Sequence, residues 1–503
     1  PTACRASGSS RSLRSSRPPP ADSFALMIRK TVLTGLALLL VAPAFAQASA
    51  DPVARARAAI EARVASGHAV GIAAGVILPD GRVEVVTAGT SGNGKRPQVD
   101  RDTLFEIGSI TKIFTATLLA QRLERGEFAP GTTVRQAAPR LRDWRSPGVG
   151  DVALEALATH TAGLSRLPKD PWLAATALLS RQGPYGRYSS DRFLDFAAAA
   201  DPPGPGPHRY TYSNYGAALL GEVLAQREGL AWPALVRRDI LDPLGMARTG
   251  VATRDEDEAL LARGHDDSRR PTAYWAIPGM GGAGALRSNV DEMAVFLMAQ
   301  RTGALAGARL AQQSRGKAWD RNETGLGWVI RPTGKGRILW HNGGTGGFRS
   351  FAGFHEPSGL AVVVLSNTAA SVDDIGLHVL DETVALSPEG RKPPLWRFGV
   401  MAMIALTIAW TAWRARPASR VDAFWSALEL ALAALVLHLL APWGWMPAFA
   451  WHAMAAFVVA CLAAVAWRAR ALAWRVDDGK RHFWRGVGRG FTALVFAACL
   501  AHA

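Results

Sequence analysis

Cysteine is nearly absent: the 503 residues hold three, Cys4, Cys461 and Cys499, with none between them through the long central stretch. That stretch therefore has no disulfide framework, no thiol nucleophile and no cysteine metal site. An exported protein can do without cross-links when its core is large. There is also no His-Glu-x-x-His zinc pattern and no Gly-x-Ser-x-Gly nucleophile elbow, so nothing asks for a metal or a cofactor. Acids are scarce as well, 41 Asp/Glu against 57 Lys/Arg for a net charge of +16. Its placement matters more than its size. Residues 1–50 carry six basic side chains and one acid, and residues 391–503 carry thirteen and four, which leaves +2 on residues 51–390. Basic charge that flanks apolar segments, rather than lining one soluble face, argues for membrane topology and against a nucleic-acid partner.

The length calls for at least two structural units. Residues 1–26 are rich in Ser, Arg and Pro without apolar periodicity and read as a disordered or over-extended leader. Residues 27–50 read as a secretory signal: basic Arg29 and Lys30, the apolar run Thr31–Val41, and a small-x-small site at Ala44-Phe45-Ala46 or Ala48-Ser49-Ala50. Residues 51–385 read as one mixed domain. A helix near Pro52–Ser66 precedes strands Val70–Leu78 and Val83–Ala88 across a Pro79-Asp80-Gly81 turn. Strands Ile338–Asn342, Phe348–Phe354 and Leu360–Asn367 come far downstream, then a helix near Val372–Leu386. This order predicts an α/β (α+β) fold: an antiparallel sheet built from both chain ends, flanked by helices, with a helical lobe inserted.

A linker, 386–397, leads to residues 398–503, expected to form a transmembrane domain of three to four helices: apolar stretches lie near Leu395–Trp413, Ala423–Trp443, Pro447–Trp467 and, more weakly, Val487–Ala503. Ten of the seventeen tryptophans lie here, mostly at segment ends where an interfacial belt would sit. Arginines follow the first and third stretches while the 442–447 connection is uncharged, so the positive-inside rule places the central domain on the periplasmic side of the inner membrane.

The chemistry concentrates in three places. Phe105-Glu106-Ile107-Gly108-Ser109-Ile110-Thr111-Lys112 puts a serine at the start of an apolar helix with a lysine one turn on, on the same face. A serine hydroxyl needs a nearby base, and a lysine in a dry pocket can serve. The same pattern at Ser314-Arg315-Gly316-Lys317 is followed by polar residues and reads as a solvated loop. Tyr212-Ser213-Asn214 follows a Pro/Gly-rich loop and opens the helix Ala217–Gln226. Trp340-His341-Asn342-Gly343-Gly344 ends a strand with glycines that admit close approach of a ligand.

In this order, Ser-x-x-Lys, Tyr-x-Asn and His-x-Gly resemble the serine β-lactamase-related family: class C β-lactamases, DD-peptidases, D-aminopeptidases and serine esterases. The resemblance covers about residues 53–385 and includes Leu157–Leu164, Pro243-Leu244-Gly245-Met246, Gly284–Phe296 and Gly325-Leu326-Gly327-Trp328. It implies a β-lactamase/transpeptidase-like fold and acyl transfer. Ser109 would attack a carbonyl and Lys112 and Tyr212 would share its proton, with Tyr212 later activating water. The N–H groups of Ser109 and Gly344, beside Gly343, would form the oxyanion hole. Asn214 would orient Lys112 and substrate, and His341 the far side. His341 stands where β-lactamases carry lysine, which points toward peptidase or esterase relatives and makes the imidazole a reader of substrate charge near pH 6.5. Among the side motifs, Ser288 with Asp291 reads as a helix N-cap pair, Gly163 as a helix terminator and His160 as a loop hydrogen-bonder. The substrate would be a small molecule or a peptidoglycan fragment, cleaved at an amide, ester or β-lactam. The rival reading is a catalytically silent cell-wall or β-lactam sensor; a transporter would need more spans than the tail supplies.

Overall fold

The computed structural model describes residues 51–387, apart from 140–142, 178–179, 181, 202, 204–207 and 268, together with 395–414, 420–440 and 448–472. The leader, the signal segment, the 388–394 part of the linker and the fourth apolar stretch lie outside the described residues.

The two ends of the 51–385 domain meet in one antiparallel sheet, as expected. Strands β1 (Gly71–Ile77), β2 (Val83–Gly89), β5 (Glu323–Thr324), β6 (Val329–Thr333), β7 (Gly336–Gly344), β8 (Arg349–His355) and β9 (Ala361–Ser366) stand in the order β2-β1-β9-β8-β7-β6-β5. The short pair β3 (Phe105–Glu106) and β4 (Arg287–Ser288) lies apart. Every residue of β1 and β9 is buried because both faces of the sheet are covered, which is why these strands read as continuous apolar runs rather than alternating ones. On one face pack helix α1 (Pro52–Ala65) and helix α5 (Asp373–Leu380), tied by Arg63 to Asp374 at 2.6 Å and by Arg55 to the Val379 carbonyl at 2.8 Å. The other face carries helix α2 (Thr111–Glu124), helix α3 (Asn214–Arg227), helix α4 (Val290–Thr302) and the helical lobe between β2 and β4.

Helix α2 is buried from Thr111 to Arg122, so its sequence is apolar on all sides and its polar residues need partners. They have them: Gln300 donates to Thr117 at 2.9 Å, Arg122 reaches Asp239 at 3.0 Å, and Phe114 stacks on Phe296 with ring centroids 3.8 Å apart.

Several boundaries differ from the sequence reading. Helix α5 stops at Leu380 instead of Leu386, because the Asp381 carboxylate accepts from the Thr383 N–H and hydroxyl and offers the backbone a turn instead of another helical bond. Helix α4 is capped by Asn289, which accepts from the Glu292 N–H at 2.9 Å. Ser288 is one residue too early and lies in β4 against Thr249. Gly163 terminates nothing: the short helix Leu154–Ala158 ends at Thr159, and the left-handed residue after it is His160, φ 60°. Strands β5 and β6 carry no clear signal in the sequence; each is short, β6 ordered by pairing with β7 and β5 by pairing with β6.

In the tail, three helices form, α6 (Leu395–Arg414), α7 (Arg420–Leu440) and α8 (Ala448–Ala469). Among the described residues, however, no helix is long and apolar enough to cross a membrane. The expectation of transmembrane spans is to that extent corrected. Polar groups interrupt the apolar runs: Asp422 and Ser426 are buried within α7, Glu429 is half-buried in it, and Arg468 of α8 donates to the Ala412 carbonyl at 2.8 Å.

Candidate active site

Ser109 sits in the tight turn Gly108–Ile110 that opens α2. Gly108 has φ +50°, and a Cβ there would lie 2.5 Å from the Gly344 nitrogen, so glycine is required both for conformation and for room. Gly343 meets the same turn from the strand side, where a Cβ would collide with the Ile107 carbonyl oxygen. These two glycines let β7 lie directly against the serine turn. Gly343 packs on the turn and is not among the residues lining the cavity, whereas Gly344 lines it together with Ser109.

Three polar groups converge. Lys112 Nζ is 2.9 Å from Ser109 Oγ, and the Tyr212 hydroxyl donates to the same Oγ at 2.6 Å. The second hydrogen bond of Lys112 goes to the Ala283 carbonyl at 2.6 Å, not to Asn214 as the resemblance implied. Asn214 heads α3 and lines the cavity beside Ser109; its Oδ1 is buried with no partner among the described residues. Ala283 itself is strapped to α2, since Thr115 donates to the Gly282 carbonyl at 2.8 Å and the Leu286 N–H donates to Thr111 at 3.2 Å.

Burial sets the protonation states. Lys112 is deep, has no carboxylate beside it and feels the Arg166 charge, so its amine is held well below the usual lysine range and can act as a base. Burial pushes the Tyr212 phenol up to about 12, so it remains a proton donor. These protonation states suit Lys112 to accept the serine proton and Tyr212 to donate one.

His341 is brought to the site, its ring centroid 6.2 Å from that of Tyr212, but not as a charged reader of substrate. It is 3% exposed, and its Nδ1 lies 2.6 Å from the Asn342 carbonyl, which can only accept; the proton is therefore on Nδ1. Burial, with the Lys112 charge adding to it, lowers this imidazole to about 3. The ratio of kcat/KM for a carboxylic-acid substrate to that for its methyl ester should accordingly stay flat between about pH 5.5 and 8. A step centred near 6.5 would restore the charge-reading role. Stability gives a second readout. The unfolded imidazole takes a proton near its ordinary value and the folded one does not, so stability is full above that value and is lost as pH falls toward about 3. Melting curves of His341→Gln should show a shallower acid limb than the wild type.

Three residues went unnoticed as site components. His160 Nδ1 accepts from the Ser213 N–H at 3.2 Å and its ring lies 4.7 Å from that of Tyr212, so the loop hydrogen-bonder of the sequence reading is also what steadies the tyrosine. The Arg166 carbonyl accepts from the Asn214 N–H at 2.9 Å and its guanidinium lies 5.2 Å from the Tyr212 ring. Trp275 lines the cavity, and its backbone N–H donates to the Glu106 carboxylate at 2.7 Å. Only proximity in sequence to Ser109 singled out Glu106; nothing in the chain links Arg166 or Trp275 to the serine. Ser314 lies on an exposed stretch where the neighbouring Arg315 pairs with Glu155, as a solvated loop should. Among the described residues no group of His, Cys, Asp or Glu could hold a metal.

A serine whose oxygen is held by a buried lysine and a tyrosine, beside a glycine-ended strand, is the arrangement of a serine hydrolase. The Beta-lactamase family profile matches residues 56–384, and the chain belongs to that family. A beta-lactamase of Pseudomonas fluorescens is 24% identical over 330 residues, 58% of this chain and 87% of the relative. The D-alanyl-D-alanine-carboxypeptidase/endopeptidase AmpH of Escherichia coli is 28% identical over 326 residues, 60% of this chain and 80% of the relative. In fold, a Beta-Lactamase/D-Alanine Carboxypeptidase structure from Pseudomonas syringae superposes with TM-score 0.56 at 19% identity, covering 67% of this chain and 99% of the other.

Proposed function

We propose that this chain is an exported serine hydrolase, held at the inner membrane with its catalytic domain on the periplasmic side, that cleaves an amide or ester through an acyl-enzyme on Ser109. The observation that carries the chemistry is the double contact on Ser109 Oγ from Lys112 and Tyr212. Lys112 takes the serine proton as the hydroxyl attacks, Tyr212 passes a proton to the departing group, and water enters by the reverse path. The Ser109 N–H, at a helix start where the first N–H groups have no intrahelical partner, and the Gly344 N–H, at the end of β7 beside it, are suited to the oxyanion. Strand β6 pairs with β7 only from Gly336 to Trp340, so the 341–344 edge has no strand on that side among the described residues and can take an extended substrate backbone. With an imidazole instead of a lysine at position 341, a true β-lactamase role is less well served than a peptidase or esterase role.

Attachment to the membrane is supported by how the tail packs. Leu406, Trp410, Phe424, Val459 and Trp467 are exposed on helices whose buried side is also apolar, an excess of apolar surface suited to a lipid boundary.

Intact-mass spectra after a fluorophosphonate probe should show one adduct, and peptide mapping should place it on Ser109. An adduct on Ser314, or none, would sink the acyl-enzyme reading. Fusions after Pro393 should be active as alkaline phosphatase and dark as a fluorescent protein; the opposite pattern would overturn the topology.

A further inference from the structure

The two sides of the serine are built very differently. The cavity that holds Ser109, Asn214 and Gly344, where the acyl carbonyl must sit, has a volume of about 30 Å³. That is room for roughly two waters. Its outer wall is Trp275, packed edge to face on Tyr185 with ring centroids 5.5 Å apart. The indole is wedged between two glycines from separate parts of the fold. A Cβ on Gly183 would collide with its Cδ1, and one on Gly346 would lie 2.8 Å from its Nε1. The Ala276 N–H, bonded to the Gln182 carbonyl at 2.9 Å, and the Trp275 N–H, bonded to Glu106, fix the backbone on both sides of the ring. Ile277, Met280 and Gly284 close the rest.

Tyr212 is not among the residues lining this cavity, and the group that hands on the proton must face the leaving atom, so the leaving group belongs outside it. Behind Tyr212, Tyr210 lies edge to face on His160 and borders a groove of about 880 Å³, lined also by Thr161, Arg209, Arg315 and Lys317.

We infer that this hydrolase transfers short acyl groups, of acetyl or single-aminoacyl size, from large leaving groups, and that Trp275 sets the limit. A peptide that loses its terminal amino acid would have to place its whole length as the acyl group in the smaller space, so release of a C-terminal residue is disfavoured relative to removal of an N-terminal residue or a short ester. This inference rests on the acyl-enzyme reading above.

The test uses the full-length chain in detergent with p-nitrophenyl esters from acetate to octanoate. Wild-type kcat/KM should fall by about 100-fold or more along the series, as a pocket that rejects added methylenes allows. Trp275→Ala should reduce that span to within about tenfold by raising the octanoate rate. Trp275→Phe, which keeps an aromatic ring in the slot, should lie between. A D-alanyl p-nitroanilide should be cleaved faster than an N-acylated peptide ending in D-Ala-D-Ala. Octanoate turned over as fast as acetate by the wild type, or preferred release of C-terminal D-alanine, would overturn the inference. Labelling by a methyl fluorophosphonate separates the two readings: Ser109 labelled with a flat ester profile defeats only this one, whereas no label defeats both.

Discussion

Ser109→Ala should lower kcat/KM for every substrate by on the order of 10⁴-fold or more, since no residual route through a covalent intermediate remains. Two hydrogen bonds end on the oxygen that is removed, from Lys112 and from Tyr212, so both lose a partner at once. Lys112 keeps the Ala283 carbonyl, and a water in the vacated space can serve Tyr212, so the fold should tolerate the change. Melting temperature and ester hydrolysis should be measured together. Activity within tenfold of wild type, with the melting temperature unchanged, would show that the serine is not the nucleophile.

Lys112→Met should cost on the order of 10³-fold in kcat/KM, the scale of a lost general base, and should do so without loss of stability. Met has nearly the same length and volume and fits an apolar slot. The wild-type amine is destabilising at neutral pH. Its folded value lies well below the unfolded one because burial opposes the charge, so the unfolded chain binds a proton that the folded chain does not. Wild-type stability should therefore rise as pH increases toward the ordinary lysine range. The Met variant lacks this term, so its advantage should be clear at pH 7 and shrink toward pH 10. Melting curves at both values would decide it. A Met variant that is less stable at pH 7 would mean that the Ser109 and Ala283 contacts outweigh desolvation, and that Lys112 is not held neutral.

The sequence alone was sufficient for what depends on local order. Apolar runs around Gly71–Ile77 and Ala361–Ser366 declare strands, and the Ser109, Lys112 spacing declares a serine with a lysine on the same face, because a separation of three residues fixes their faces without tertiary help. Tyr212 and the glycines of β7 were legible through motif order. Three things needed the folded chain. Protonation did, since a histidine at 341 reads as titratable near neutrality until its burial is known. The lysine's second partner did, because the Ala283 carbonyl lies 171 residues away and backbone acceptors leave no mark in composition. The size of the acyl site did as well: Trp275 becomes a wall only when Gly183 and Gly346, distant in sequence, close on its two sides. Charge state and cavity volume are set by what surrounds a side chain in space, and that is decided by packing, which no local pattern encodes.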